Sequence, residues 1–201
     1  MARLDRLLPV KEIAQTAAAL GREFSYEMLA AVSRHSEAEL NDALGQLTEA
    51  GLLFRRGTPP RADFAFKHAL VQDAAYSTLL RTQRQELHSR IGRTLEMRFS
   101  EIADTQPELL AHHFTEAGVI DAAIEYWRRA GASSVGRSAH VEAAGHIGRA
   151  LDLLQVLPPS RGRDERDLEL TLALRGTTDC RSRLWLVTGR GLRSQSGGAL
   201  R

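Results

Sequence analysis

The chain has 201 residues, of which 43% are hydrophobic, 5% aromatic and 26% charged, with a net charge of +2 and a pI near 9.0. That balance predicts one large or two small globular domains, and it is too apolar and too evenly charged for a disordered chain. No run approaches the roughly 20 apolar residues of a membrane-spanning helix, and the N-terminal segment lacks the apolar core of an export signal, so a cytoplasmic location is expected.

Leu4, Leu7, Leu8, Ile13, Ala17 and Leu20 recur at helical spacing, and Gly21 supplies a stop. Ser25 is placed to cap a short helix through Val32. Ser36 is placed to cap a third, with Glu39 three residues on completing a capping box. The third helix carries Leu40, Ala43, Leu44 and Leu47 as a buried stripe and stops at Gly51. Two short apolar runs then flank the breaker Gly57-Thr58-Pro59-Pro60, which predicts a β-hairpin with Phe64 and Phe66 on one face of its second strand. Three helices and a hairpin, residues 1–67, have the order of a winged-helix domain.

Beyond the hairpin the pattern is helical. Residues 68–104 read as a linking helical hairpin, with Leu87, Ile91, Leu95 and Phe99 forming an i, i+4, i+8, i+12 stripe. Pro107 can open the next helix. Three helices are expected, at roughly 107–117, 120–136 and 139–156, before Pro158-Pro159. Ala123, Trp127 and Ala130 recur twenty residues later as Ala143, Ile147 and Ala150, a small–large–small pattern that lets helices approach closely. With Ala111 and Phe114 these positions resemble the tetratricopeptide repeat, in degenerate form over 105–160. The expected fold is therefore mainly α: a winged helix followed by an antiparallel helical array.

Sites for chemistry are sparse. No G-x-x-x-x-G-K-[ST], GxGxxG, GxSxG or HExxH string is present, so no enzymatic activity and no cofactor are expected. His112 and Glu116 share a helical face but lack a third ligand, so no metal site is expected; a histidine packed beside Phe114 is the plainer reading. Cys180 stands alone and reads as an ordinary thiol. The helix that would enter DNA carries Glu37, Glu39, Asp42 and Glu49 and no cation, so duplex DNA should be repelled. The hairpin is basic, through Arg55, Arg56, Arg61 and Lys67 against Asp63, which leaves a phosphate or partner contact open there.

Several strings resemble a family. Ala18-Ala19-Leu20-Gly21-Arg22-Glu23-Phe24-Ser25, Phe64-Ala65-Phe66-Lys67-His68-Ala69-Leu70-Val71-Gln72-Asp73-Ala74-Ala75-Tyr76 and Glu108-Leu109-Leu110-Ala111-His112-His113-Phe114 are similar to the region after the ATPase core of bacterial STAND/AAA-type regulators. Nearest among them are proteins that join a class III adenylate/guanylate cyclase, an ATPase module and tetratricopeptide repeats. The resemblance spans about residues 3–173. It implies a non-catalytic regulatory or protein-interaction module of an ATP-dependent signalling protein, whose partner is another protein or the missing ATPase module. The alternative is a winged-helix transcription regulator that binds DNA. Arg22, Arg84 and His88 match family positions without an evident chemical role.

Residues 161–201 read as a charged linker and an irregular, disordered basic tail. Six arginines and a single acid, Asp179, fall in 174–201, so the segment before it is mildly acidic, with 21 basic against 24 acidic residues. The abrupt change near Leu174 suggests a frameshift or premature end that replaces further repeats; a genuine basic tail that touches RNA or anionic surfaces is the other reading.

Overall fold

The computed structural model describes the backbone of residues 7–189 and the side chains of residues 9–177. Within that range the protein is mainly helical, with one small antiparallel sheet, and it divides into two compact units. The first comprises residues up to Ser100 together with Glu116–Gly118, and the second comprises Glu101–Thr115 and the residues from Val119.

In the first unit α1 (Leu7–Leu20), α2 (Tyr26–Val32) and α3 (Glu37–Glu49) precede the hairpin. Both expected caps are present. Ser25 Oγ accepts from Met28 N at 3.1 Å. At Ser36 the capping box closes in both directions, since Ser36 Oγ accepts from Glu39 N at 3.4 Å and Ser36 N donates to Glu39 Oε2 at 2.8 Å. Ile13, Ala17, Leu29, Val32, Leu40 and Leu44 form a dry centre.

The hairpin consists of β2 (Leu53–Thr58) and β3 (Arg61–Phe66), and a third strand, β1 (Glu23–Ser25), makes the sheet order β1-β3-β2. A three-residue strand is too short to show a period in sequence. Phe24 fixes it by packing its ring on Phe64 at 5.8 Å and near Phe66 at 6.1 Å. Phe64 and Phe66 share the buried face with Ala62. Gly57 lies at φ +85°, and a Cβ there would meet the Arg61 carbonyl oxygen at 2.6 Å, so the start of the turn demands glycine.

The helices read as a linking hairpin, α4 (Ala69–Ser77) and α5 (Arg81–Arg98), belong to this unit. Gln72 Nε2 donates to the Ala18 carbonyl at 3.1 Å, and Gln15 Nε2 to Thr78 Oγ1 at 2.7 Å, which fixes α4 on α1. Leu87, Ile91 and Leu95 are buried as the stripe predicts. Phe99 departs from it: the helix stops at Arg98 and Phe99 leaves helical geometry at φ −129°, ψ 52°.

The second unit holds most of α6 (Ser100–Thr105), most of α7 (Pro107–Ala117), and α8 (Ile120–Gly136), α9 (His140–Leu154) and α10 (Arg161–Gly189). Residues from 161 onward, read from sequence as linker and irregular tail, are helical to Gly189, and 190–201 lie outside the described residues. Local chemistry explains the difference. Ser160 Oγ accepts from Arg163 N at 3.2 Å, Arg161 pairs with Glu165 at 2.9 Å, and the first turns are rich in good helix formers. Burial there recurs at helical spacing, on Leu170 and Thr177 with Arg163, Asp167 and Leu174 half-buried, but most of these residues are polar and Leu168 and Leu172 are exposed, so no apolar stripe betrays the helix. Cys180 lies outside the described side chains.

Candidate functional site

The register of the hairpin divides its cations. Arg55 pairs with Phe64, Arg56 with Asp63 and Thr58 with Arg61. Cross-strand partners in an antiparallel pair share a face, so Arg55 lies on the side of Phe64, whereas Arg56, Asp63 and Arg61 lie on the other. Lys67, just past β3, sets its Nζ 5.1 Å from the centroid of the exposed Phe54 ring. All four cations are exposed; Arg56, Arg61 and, through Phe54, Lys67 share the face that also holds Asp63, while Arg55 lies on the other.

On α3, Leu40, Ala43, Leu44 and Leu47 are buried, which leaves Glu37, Glu39, Asp42 and Glu49 exposed. Hydrogen bonds from the Ser36 backbone and hydroxyl hold the Glu39 carboxyl below the usual carboxylate range. The surface of this helix is therefore anionic at neutral pH.

Arg84 and His88, both on α5, make structural contacts. Arg84 donates from Nε to the Leu79 carbonyl and from a terminal nitrogen to the Ser77 carbonyl, both at 3.1 Å, and stacks its guanidinium 4.7 Å from the Tyr76 ring. It thereby ties off the end of α4. His88, 1% exposed, shares a 2.8 Å hydrogen bond between Nε2 and the Tyr76 hydroxyl. Nothing in the sequence pattern pointed to Tyr76 as the common partner.

In the second unit Ala111, Phe114, Ala123, Trp127, Ala130, Ala143, Ile147 and Ala150 are all buried. Phe114 stacks on Tyr126 at 5.5 Å. Trp127 is held on three sides: its Nε1 donates to Thr115 Oγ1 at 3.0 Å, His146 stacks on it at 5.3 Å, and the Arg149 guanidinium lies 4.6 Å from its ring. Gly131, one turn on, allows α9 so close that a Cβ would come 2.7 Å from Ile147 Cγ1. Ion pairs between Arg166 and Asp121 at 2.7 Å and between Arg128 and Glu169 at 3.8 Å join α10 to α8.

Between α8, α9 and α10 lies an open cleft of about 460 Å³, lined by Ala132, Val135, Ile147, Leu170 and Ala173 with Arg128, Glu169 and His140 as polar groups. His113 is buried on α7 whereas His112 is exposed, so the two point apart as helical geometry requires. Among the described residues no group of three His, Cys, Asp or Glu is placed to hold a metal ion, and no helix is long and apolar enough to cross a membrane.

No family model matches the chain, and no solved structure matches it. An uncharacterised protein of Rhizobium meliloti (strain 1021) is 34% identical over 152 residues, which is 75% of this chain and 15% of that protein. The chain thus spans about 15% of the length of that relative.

Proposed function

We propose that the chain is a non-catalytic regulatory and protein-interaction module, built from a winged-helix-like first unit and a degenerate tetratricopeptide-like second unit. The close approach of α8 and α9 at Gly131 and Ile147 carries the reading, because small–large–small packing of successive helices is what such arrays are made of. The partner is a protein, and the resemblance of the sequence favours an ATPase module of the STAND/AAA kind in a signalling protein that also carries a cyclase. Enzymatic activity is assigned to that larger context and not to these residues. The Rhizobium match to a much longer chain accords with a module that works within a larger protein.

The alternative, DNA binding through the first unit, has one observation in its favour, the exposed cations of the hairpin. Against it stand the four exposed acids of α3 and Asp63, which lies among the cations on their shared face. Fluorescence anisotropy with a labelled duplex separates the readings. A protein-docking module binds duplex weakly, without sequence preference, and releases it as salt rises toward physiological strength. Tight, sequence-selective binding that is lost in an Arg55→Gln/Arg56→Gln variant would replace our reading with the second. In parallel, the Rhizobium protein lacking its matched segment should bind that segment in trans by isothermal titration; a flat titration counts against the docking role.

A further inference from the structure

The first unit contains a polar cleft of about 230 Å³ between α1, the turn before α3, and α5. Arg34 and Arg90 both line it. Neither guanidinium forms an ion pair among the described residues, and the Nε of Arg90 is shut off from solvent without a hydrogen-bond partner. Burial, and then the neighbouring Arg34 charge, push the Arg90 guanidinium below its usual pKa, with Glu86 opposing. Two like charges in one cleft, one of them partly desolvated, are a costly arrangement that a bound anion would relieve.

The remaining lining groups define what the anion must be. Glu12 is engaged by His35, whose Nε2 lies 3.1 Å from its Oε2. Gln83 receives the Leu80 N–H on its Oε1 at 3.1 Å, which leaves its amide NH₂ as a donor. Gln15 spends its NH₂ on Thr78, and Thr16 gives its hydroxyl proton to the Glu12 carbonyl. Glu86, one turn before Arg90 on α5, is a nearby negative charge that a bound anion must approach. The donors on offer are thus two guanidiniums and one amide, more than the two oxygens of a carboxylate can accept. A cleft of this volume lies below the ~300–1,000 Å³ of sites for drug-sized ligands and has room for one phosphate with ordered water.

We propose that this cleft binds a phosphate group, clamped between the Arg34 and Arg90 guanidiniums and capped by the Gln83 amide. Planar guanidiniums bind phosphate oxygens bidentately, and among the described residues neither Arg34 nor Arg90 spends its guanidinium on an ion pair, although Glu86 lies near Arg90. The phosphate is either free inorganic phosphate or the phosphate of a small phosphorylated ligand whose remainder projects from the cleft. This site is independent of the docking role proposed above.

The test uses isothermal titration of the full chain with inorganic phosphate, against chloride at matched ionic strength. We expect saturable phosphate binding that weakens by about tenfold or more in Arg34→Gln, Arg90→Gln and their combination. Arg34 is exposed, so that variant should fold even if Arg90→Gln does not; far-UV circular dichroism checks both. A sugar phosphate that binds more tightly than inorganic phosphate identifies a phosphorylated ligand, and equal binding identifies the free ion. Acetate should bind far more weakly. The proposal is overturned if phosphate gives no response beyond chloride, if acetate binds as well, or if binding survives Arg34→Gln/Arg90→Gln but disappears in Arg55→Gln/Arg56→Gln.

Discussion

Gly131 on α8 and Ile147 on α9 are mutually fitted: a Cβ at position 131 would come within 2.7 Å of Ile147 Cγ1 and 3.3 Å of Cδ1. Elsewhere in a helix, replacement of glycine by alanine adds about 0.5–1 kcal/mol of stability. Here overpacking, worth about 1–3 kcal/mol, opposes that gain and exceeds it. Gly131→Ala should therefore destabilise the protein in urea unfolding. Ile147→Ala removes the obstructing branch but leaves a cavity, at about 2–5 kcal/mol. The double variant should be more stable than the sum of the two costs, because the new methyl enters the space that isoleucine vacates. Simple additivity would show that the helices do not touch at this point.

The Trp127–Thr115 hydrogen bond gives a second cycle. Trp127 is 4% exposed, so its indole N–H has little access to water if Thr115 is lost. Thr115→Val should cost about 1–3 kcal/mol through the unsatisfied donor. Repeated in a Trp127→Phe background, the same change should cost much less, since no donor is left to orphan. Equal costs in the two backgrounds would assign the effect to the Thr115 hydroxyl's other bond, which it donates to the Ala111 carbonyl at 2.7 Å.

The capping box of α3 is the local feature most directly written in the sequence. Ser36→Ala should lower stability by about 0.5–2 kcal/mol. Glu39 has its pKa lowered by the Ser36 hydrogen bonds, so its contribution is fully present above the unfolded carboxylate pKa and is lost as pH falls through the folded value. Glu39→Gln should flatten the acid limb of the stability profile below about pH 5, where unfolded glutamates begin to take up protons. An unchanged acid limb would show that the side-chain half of the box contributes nothing.

Much of this fold was legible because its signals are local and periodic. The caps at Ser25 and Ser36, the turn at Gly57, the pairing of Phe64 with Phe66, and the small–large–small repeat each rest on a few neighbouring residues. Strand β1 was not legible, because Phe24 belongs to the sheet only through contacts some forty residues away. Helix α10 escaped because the face it buries, Arg163, Asp167, Leu170, Leu174 and Thr177, is mostly polar and so leaves no apolar period. At the hairpin, the list of cations was evident, but their division between two faces depends on register. The Arg34–Arg90 cleft joins residues from separate elements, and no spacing rule connects them.

His146 makes the second unit sensitive to pH. Its ring stacks on Trp127, and burial is the main cause that depresses its pKa below the ordinary histidine value; Arg149 and Arg137 add to this, and Glu108 and Glu142 oppose it. In the unfolded chain the same histidine titrates near 6.5. Below that pH the unfolded state takes up a proton that the folded state resists, so the sign is fixed: the contribution is complete above pH 6.5 and declines as pH falls toward the folded pKa. Urea unfolding followed by tryptophan fluorescence at pH 7.5, 6.5 and 5.5 should show stability falling with acidity. His146→Gln loses the stack and is less stable at pH 7.5, yet its stability should change less over the same range, so that the two profiles converge toward pH 5.5. Parallel profiles would place the acid sensitivity on another group. Because the ring lies against Trp127, the wild-type native-state fluorescence should also quench on acidification, and the variant should lose that response.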